Sequence, residues 1–375
     1  MNQSEIVKPA VRDSRFELLR ILAMLMILLQ HPLERCFTGG FSDLLEQPFS
    51  ISFVGAMLLS IWGQLGVMLF VIISAWFMVD RKGIKSKKII MLFLQVWTTC
   101  FIIMAVIGLL YPERINIRLI VKELLTPVYK YQYWFITTFL AYFLTIPIMQ
   151  KLTQSLSDKA LRNICLVMTM LIPLYNYLEE NVGASWADFC YIFLVTAYLK
   201  RTPDNWFRKH CGLFWIGIAI ITGCLLGYKL LFASKLGNGI FLKLFMSLRG
   251  RTLLLFIISI ELFYCFERMK PIYSKIINSI GNTMFGVYLI HENYLFRGEE
   301  NGNGLVWNDL LHIDKLYQNE PMFLLYYIGI VMGVFIACIL LETLRQNLIE
   351  RWYRSSRIIN QLGEKFDKFY SKNMF

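Results

Sequence analysis

A long apolar stretch followed by a run of basic residues decides which class of protein this chain belongs to. Residues 53–79 read FVGAMLLSIWGQLGVMLFVIISAWFMV and contain no charged side chain. Residues 80–88, DRKGIKSKK, then carry five lysine or arginine side chains. About 20 apolar residues are enough to cross a bilayer as a helix, and basic residues gather on the cytoplasmic side of such spans. The stretch therefore predicts a transmembrane helix whose C-terminal end lies in the cytoplasm.

The composition of the whole chain agrees with a membrane protein. Of the 375 residues, 57% are hydrophobic and 17% are charged, against about 25% charged in soluble domains. The aromatic content of 15% excludes a disordered chain. The net charge of +12 could indicate nucleic-acid binding, but the basic residues flank apolar stretches and form no single patch. We therefore expect a lipid bilayer as partner, and no nucleic acid.

The other apolar stretches predict an all-α polytopic membrane protein with about ten transmembrane helices. The predicted spans are 16–37, 53–79, 89–111, 133–150, 163–178, 187–199, 212–233, 252–267, 277–296 and 322–344. With the N-terminus in the cytoplasm, 25 of the 38 lysine and arginine residues fall in cytoplasmic segments, so both termini are predicted to be cytoplasmic. The external segments 112–132 and 234–251 also carry basic groups, and each is a candidate interfacial amphipathic helix.

The domain organisation follows from the same pattern. We predict an integral-membrane domain over residues 1–344 and a basic, partly helical cytoplasmic tail over residues 345–375, with no soluble domain. The first apolar stretch lacks a short hydrophobic region ending at a small-residue cleavage site, which favours a retained span. The eight cysteines form no CxxC pair, so neither a zinc site nor a disulfide framework is expected.

Ionisable residues inside the first span are the first functional signal, because charges within a membrane are costly and usually face an interior. Glu17 and Arg20 are three residues apart and can pair on one helix face. Arg20 and His31 are eleven residues apart, which is close to three full turns at 100° per residue, so the three side chains share a stripe. Alternatively, Arg20 snorkels to the inner interface and His31 only marks the outer end.

The ninth span carries a second polar set. Tyr288 and His291 lie three residues apart on one face, and in the predicted topology His291 has a depth similar to that of His31. A neutral imidazole at this depth could take a proton from a hydroxyl, and a buried guanidinium suits an anionic ligand. His291 could instead be a hydrogen-bonded packing residue. The basic run from Arg81 to Lys88 could hold the phosphates of a nucleotide-bearing donor, or could serve only as a topology determinant.

Four separated motifs resemble the integral-membrane acyltransferase-3 family. The segment from Glu17 to His31 is similar to the Arg-x10-His signature of that family. Three further segments resemble its "GV-x-LF-x-x-SG" helix, its "WF" helix start and its "GIYLIH" segment, namely GVMLFVIISAWFM at 66–78, YWFI at 133–136 and GVYLIH at 286–291. The motifs occur in order over most of the chain. Two positions depart from the pattern, since Ala75 often is Gly in the family and Met68 often is Asp, and the basic loop lacks an Arg-x-x-Arg pair.

The resemblance implies an O-acyltransferase that takes an acetyl group from acetyl-CoA at the cytoplasmic face. The acceptor it implies is a hydroxyl of a surface polysaccharide, such as a capsule or exopolysaccharide, or of its polyprenyl-linked oligosaccharide precursor, at a bacterial cytoplasmic membrane. We expect no hydrolase-like domain after the tenth span, unlike in two-domain members of the family. No metal is expected.

The resemblance also implies roles for individual residues. His31 is the general base or transiently carries the acyl group, while Arg20, braced by Glu17, positions the donor or stabilises charge along the pathway. His291 and Tyr288 complete the site from the ninth span. The residues expected to contact the donor phosphates are Arg81, Lys82 and Lys85.

Other functions fit the same pattern. A transporter or flippase of a lipid-linked sugar could line its path with the same charged stripe, although the two halves of the chain show no internal duplication of the kind common in transporters. A sensor without catalysis and a succinyl or longer acyl donor are further alternatives. Trp307 and Tyr317, in the external segment 298–321, are candidates for stacking on a sugar face.

Overall fold

A computed structural model gives the fold of the chain as a bundle of helices. The structure describes residues 12–36, 50–81, 86–117, 120–121, 133–178, 186–231, 240, 252–298, 305–316 and 321–374. Within these ranges the chain forms helices and turns, and no strand. This agrees with the predicted all-α class.

The helices are numbered here in chain order. The first eight are α1 (Ser14–Cys36), α2 (Ile51–Ser60), α3 (Gly63–Met78), α4 (Ser86–Leu110), α5 (Trp134–Ser155), α6 (Asp158–Leu178), α7 (Trp186–Arg201) and α8 (Trp206–Lys209). The others are α9 (Phe214–Leu231), α10 (Leu253–Glu267), α11 (Lys275–His291), α12 (Tyr294–Arg297), α13 (Ile313–Leu316), α14 (Phe323–Arg345), α15 (Arg351–Arg354) and α16 (Arg357–Met374). Short π-helical segments, Leu305–Leu310 and Gln346–Glu350, precede α13 and join α14 to α15.

Each of the ten predicted spans contains a helix. Five helical stretches in the described ranges are long and apolar enough to cross a membrane, namely Ser14–Arg35, Ile51–Met78, Ser86–Leu110, Trp134–Ser155 and Phe323–Arg354. The second of these is interrupted by a turn at Ile61 and Trp62, which separates α2 from α3. The count of ten spans and the cytoplasmic placement of both termini stay predictions. Of the two external segments, 234–251 lies outside the described residues except for residue 240, and 112–132 is described only in part.

Helix α1 occupies the middle of the bundle. In the most apolar part of α1, 61% of the residues are buried, against 28% in α4 and 22% in α14. Helices α2, α3, α10, α11 and α14 all contact α1. The peripheral helices α4 and α14 instead expose leucine, isoleucine and phenylalanine side chains on their outer surfaces, as expected for surfaces that face lipid.

Two glycines allow α3 to cross α1 at close range. A Cβ atom on Gly66 would lie 2.4 Å from the carbonyl oxygen of Ala23, and one on Gly63 would lie 2.0 Å from the side-chain oxygen of Gln30. Small residues at such crossings let two membrane helices approach backbone to backbone. Gly66 begins the motif quoted above for residues 66–78, so its glycine has a packing role in this protein.

Helices α1 and α11 run in the same direction, and their register is fixed at the N-terminal end of α1. The backbone N–H of Ser14 donates to the carbonyl of Ile272 at 2.8 Å, and the hydroxyl of Ser14 bonds the side-chain oxygen of Asn278 at 2.9 Å. This register places Gly281 against Glu17 at one end of the pair. At the other end it places His291 against His31. The polar groups of the two helices therefore meet in two separate clusters.

The predicted tail, residues 345–375, continues from α14 as further helix. Within the last turns of α14, Arg345 donates to both oxygens of Glu342 at 2.7 Å, and both side chains are buried. Arg345 also donates to Glu350 at 2.6 Å. Helix α16 then packs along α4. The seven cysteines whose side chains are described are all free thiols.

Candidate active site

The first cluster, called the N-terminal cluster here, consists of Arg12, Glu17, Arg20 and Asn282 at the N-terminal end of α1. The carboxylate of Glu17 is 2% exposed and lies between two guanidinium groups. Arg12 donates to Glu17 Oε1 at 2.8 Å, and Arg20 pairs with the same oxygen. Arg12 also bonds the side chain of Asn282 on α11. A Cβ atom on Gly281 would lie 2.4 Å from Glu17 Oε2, so the glycine makes room for this carboxylate.

The N-terminal cluster carries more positive than negative charge and is open to solvent. The side chains of Arg12 and Arg20 are 43% and 23% exposed, and Arg81, at the end of α3, is close enough to interact electrostatically with Arg20. Two cations thus pair with one buried carboxylate, and a third cation lies near Arg20. Beside the cluster, Arg15 holds the pKa of Asp13 below its usual value through a hydrogen bond, so this neighbouring pair neutralises itself.

The residues predicted to contact the donor are placed only in part. Arg81 is exposed, and its carbonyl oxygen accepts a hydrogen bond of 2.7 Å from Gln150 on α5. The side chain of Gln150 also donates to the carbonyl of Met78 at 2.5 Å and so caps the C-terminal end of α3. Lys82 and Lys85 lie outside the described residues.

The second cluster, called the C-terminal cluster here, consists of His31, Arg35, His291, Glu292 and Arg297 at the C-terminal end of α1. His31 Nδ1 lies 2.9 Å from His291 Nε2 and 3.2 Å from Glu292 Oε1. His31 is 7% exposed, His291 2% and Glu292 1%. The structure thus brings together the two histidines that the sequence places at similar depth, and adds a carboxylate to them.

The hydrogen-bond partners fix the tautomers of two neutral rings. His291 Nδ1 lies 2.6 Å from the carbonyl oxygen of Val287, which can only accept, so His291 Nδ1 carries a hydrogen and His291 Nε2 is an acceptor. The hydrogen between the rings therefore belongs to His31 Nδ1, which donates it to His291 Nε2, while Glu292 Oε1 lies 3.2 Å from the same nitrogen and makes no hydrogen bond among the described residues. His31 Nε2 is left with its lone pair, and it has no hydrogen-bond partner among the described residues.

Glu292 is the residue that organises the C-terminal cluster. Its Oε2 atom lies 3.1 Å from Arg35 Nη2 and 3.9 Å from Arg297 Nη1, while Oε1 faces His31. A carboxylate behind an imidazole orients the ring and stabilises the imidazolium that forms when the other nitrogen takes a proton. The sequence analysis did not select Glu292 or Arg35. The available signal was a glutamate directly after His291 at the end of a predicted span.

A buried hydroxyl group lies beside the C-terminal cluster. Tyr288 is 4% exposed, and its hydroxyl has no hydrogen-bond partner among the described residues. The ring packs against those of Phe135 and His291, with centroid distances of 5.5 and 6.0 Å. The hydroxyl lies near the backbone N–H of Phe135, in the first turn of α5, where helix N–H groups have no partner inside the helix.

The start of α5 is tied to the end of α11 by one tyrosine. The hydroxyl of Tyr133 donates to the carbonyl of Leu289 at 2.9 Å and accepts from the side chain of Asn293 at 2.8 Å. Asn293 is fully buried and also caps α12 by accepting from the N–H of Leu295 at 3.0 Å. The motif at residues 133–136 therefore holds the first turn of α5 against Tyr288.

The donor atoms of His31, His291 and Glu292 all lie within 4.8 Å of one another, which raises the question of a metal ion. The nitrogens of the two rings are 2.9 Å apart. Two nitrogens on a tetrahedral zinc, with bonds of about 2.1 Å, are separated by about 3.4 Å. Arg35 and Arg297 also place positive charge on Glu292. The spacing and the charges favour a hydrogen-bonded relay, and the expected absence of a metal stays a prediction.

Trp307, a candidate for stacking on a sugar, does not lie on the surface. The π-helical segment Leu305–Leu310 turns this side chain into the core, where it is fully buried. The prediction for Trp307 is therefore wrong, because burying its large apolar ring in the bundle is more favourable than leaving the ring in water. Tyr317 lies outside the described residues.

The bundle and its two clusters define a helical membrane protein with two buried histidines and a carboxylate at one end of a helix pair and an excess of cations at the other. A family described as an acyltransferase domain, acyltransferase-3, matches residues 13–343, and the chain belongs to this family. The protein is therefore a membrane acyltransferase, and the resemblance found in the sequence is confirmed. No curated protein and no solved structure matches the chain.

Proposed function

We propose that the protein transfers an acetyl group from acetyl-CoA to a hydroxyl of a cell-surface polysaccharide or its lipid-linked precursor, in a bacterial cytoplasmic membrane. The observation that carries this proposal is the free lone pair of His31 Nε2, on a ring whose Nδ1 donates to His291 and lies 3.2 Å from the carboxylate of Glu292. A nitrogen held in this way is suited to take a proton from a sugar hydroxyl. Membership of the acyltransferase-3 family supplies the class of reaction.

The transfer step uses His31 twice. His31 Nε2 takes the hydroxyl proton while the hydroxyl oxygen attacks the thioester carbonyl, forming the new C–O bond and an oxyanion. The imidazolium is stabilised by Glu292. When the oxyanion collapses, the C–S bond breaks, and the departing sulfur receives the proton from Nε2. The products are the acetyl ester and free CoA, and His31 returns to its starting tautomer.

The oxyanion formed in this step needs hydrogen-bond donors, which usually contribute strongly to catalysis. In the proposal the hydroxyl of Tyr288 is such a donor, because it is buried beside His291 and has no acceptor of its own among the described residues. The first turn of α5 adds the positive end of a helix dipole. Arg35 and Arg297 add further positive charge around this position.

The N-terminal cluster is suited to the other end of the donor. Guanidinium groups bind phosphates with two parallel hydrogen bonds, and Arg12, Arg20 and Arg81 supply more positive charge than Glu17 neutralises. Arg20 and His31 are separated along α1 by about 16 Å, from a rise of 1.5 Å per residue. In the proposal the pantetheine arm of the donor spans this distance, and its thioester reaches His31.

The test uses the purified full chain in lipid vesicles with radiolabelled acetyl-CoA, with and without candidate glycans. Wild type should release label from the thioester, to water or to the glycan, and His31→Ala should reduce this rate by about 10³-fold or more. His210→Ala is the matched control, because His210 is an exposed histidine that bonds only within its own turn and stacks on Trp206.

Label that stays on CoA with wild type, even with other acyl donors and candidate glycans, would overturn the proposal and favour a flippase of lipid-linked sugar. Unchanged transfer by His31→Ala would leave an acyltransferase but remove His31 as its base. Label found on the protein itself, and lost in His31→Ala, would show that His31 carries the acyl group during transfer.

A further inference from the structure

Helix α16 has three distinct faces. Tyr353, just before it, and Gly363 are buried on the side that packs against α4. A second face exposes three apolar side chains at i, i+4 and i+8, which are Ile358, Leu362 and Phe366 with exposures of 69, 41 and 55%. At 100° per residue these three lie within an arc of about 80°. The arrangement is an apolar stripe that neither α4 nor any other described element covers.

The remaining face of α16 is polar. Its exposed side chains are Arg357, Gln361, Glu364, Lys365 and Lys368. Their mean direction lies about 120° from that of the apolar stripe. A helix with an exposed apolar stripe beside a lysine-rich and arginine-rich face is typical of segments that lie in a membrane interface.

The stripe on α16 continues the lipid-facing surface of α14. Exposed apolar side chains follow one another at four-residue intervals along α14 and the two short segments after it, namely Leu340, Leu344, Leu348 and Trp352, with exposures of 65, 55, 68 and 81%. Tryptophan is enriched where a span leaves the hydrocarbon region. The apolar surface therefore runs out of the membrane along α14, past Trp352, and onto α16.

The direction of α16 is fixed by its contacts with the first turn of α4. Asp367 accepts a hydrogen bond of 2.7 Å from the backbone N–H of Ser86. Lys87 donates to the carbonyl of Arg354 at 3.4 Å. A Cβ atom on Gly363 would lie 3.1 Å from the Cβ atom of Lys87. These contacts hold α16 beside the end of a predicted span, at the level where a membrane surface lies.

We propose that α16 lies in the membrane interface, with Ile358, Leu362 and Phe366 inserted between lipid headgroups of the leaflet at the C-terminal end of α14. The occupant of the stripe is the lipid bilayer itself. Lys365 and Lys368 face water and the phosphate groups of the lipids. The family match ends at residue 343, so this membrane contact belongs to a part of the chain outside the family domain.

Photocrosslinking in the intact protein tests this proposal. A benzophenone-bearing amino acid is placed at position 362 of the full chain, and separately at position 364 as the matched control, because Glu364 is exposed and lies about 160° from the centre of the stripe. Both proteins are reconstituted in vesicles of phosphatidylethanolamine and phosphatidylglycerol and irradiated, and lipid adducts are measured by mass spectrometry. Position 362 should give a lipid adduct, with at least tenfold less at position 364.

No lipid adduct at position 362, or equal adducts at both positions, would overturn the proposal. Crosslinks from position 362 to a second copy of the chain would do the same and would assign the stripe to a protein interface.

A second measurement does not depend on photochemistry. Changing Ile358, Leu362 and Phe366 together to Gln should speed tryptic cleavage at Lys365 and Lys368 in vesicles at least tenfold, and unchanged cleavage would contradict the proposal. Neither test requires acyl transfer.

Discussion

The N-terminal and C-terminal clusters are built on the same two helices but differ in access to water. In the N-terminal cluster the side chains of Arg12 and Arg20 are 43% and 23% exposed. In the C-terminal cluster the side chains of His31 and Glu292 are 9% and 1% exposed. One end of the helix pair thus offers cations to a solvated ligand, and the other closes around a set of proton-carrying groups.

This difference suits different roles for the two ends of α1 in the proposed reaction. An exposed cationic site suits the phosphates of a water-soluble donor, because guanidinium–phosphate hydrogen bonds remain favourable in water. Proton transfer and oxyanion stabilisation are stronger where water is excluded and the local dielectric is low. The proposed function therefore assigns donor binding to one cluster and bond making to the other, and substitutions at the two ends should alter different kinetic constants.

The largest effect is expected from Glu292→Gln in the C-terminal cluster. The substitution removes the charge that stabilises the His31 imidazolium and leaves Arg35 without its partner. We expect kcat to fall by about 10²–10⁴-fold, while the KM for acetyl-CoA changes little. The matched control is Glu261→Gln, which alters another buried carboxylate, on α10. A loss of activity shared equally by the two variants would indicate that a buried charge matters only for folding.

Tyr288→Phe should have the next largest effect. It removes one hydroxyl and keeps the ring that packs on Phe135. Loss of an oxyanion donor should lower kcat by about 10²-fold. Tyr142→Phe is the matched control, because Tyr142 is equally buried within the same aromatic cluster and its hydroxyl also lacks a described partner. Equal kcat values for the two variants would reduce Tyr288 to a packing residue.

Arg20→Lys should alter the opposite end of the pair. Lysine keeps the charge but cannot donate two parallel hydrogen bonds to a phosphate. We expect the KM for acetyl-CoA to rise about tenfold, which corresponds to one charge-assisted hydrogen bond of about 1.5 kcal/mol, with kcat nearly unchanged. Arg208→Lys, at the Arg208–Glu267 ion pair, is the control. Wild-type kinetics for Arg20→Lys would make Arg20 a charge anchor only.

The smallest effect on catalysis is expected from Gly281→Ala. The new methyl group would lie 2.4 Å from Glu17 Oε2 and 2.8 Å from its Cβ atom, so Glu17 or α11 has to move. We expect a destabilisation of about 1–3 kcal/mol, seen as a lower Tm in detergent, and a modest rise in the donor KM. Gly227→Ala on α9, where a Cβ atom meets nothing within 4 Å, should leave both values unchanged. An unaltered Tm for Gly281→Ala would show that the crossing is not tight.

The sequence predicts the helices of this fold well, since apolar length and the spacing of charges are local properties. Each predicted span contains a helix, and the stripe of Glu17, Arg20 and His31 on α1 follows from 100° per residue. The sequence did not predict the turn that separates α2 from α3. Beside this turn, Gln30 of α1 occupies the space next to Gly63, and such a contact is not visible in residues 53–79 alone.

The candidate site is predictable only in outline, because its chemistry depends on pairs formed between helices. Two histidines at similar depth can be found from their positions along the chain. The tautomers of the two rings depend on the carbonyl of Val287, which accepts from His291 Nδ1. The contact between Glu292 and His31 depends on the register of α1 against α11. The same register makes Gly281 the neighbour of Glu17. No local pattern in the sequence indicates any of these pairs.

The most direct test of the division between the clusters is donor binding by the His31→Ala protein. Binding of radiolabelled acetyl-CoA to the full chain in vesicles is measured alongside transfer, for wild type, His31→Ala and Arg20→Lys. His31→Ala should bind the donor with nearly wild-type affinity and transfer no acetyl group, whereas Arg20→Lys should bind it about tenfold more weakly. A loss of donor binding in His31→Ala as large as its loss of transfer would contradict the separation of donor binding from acyl transfer along α1.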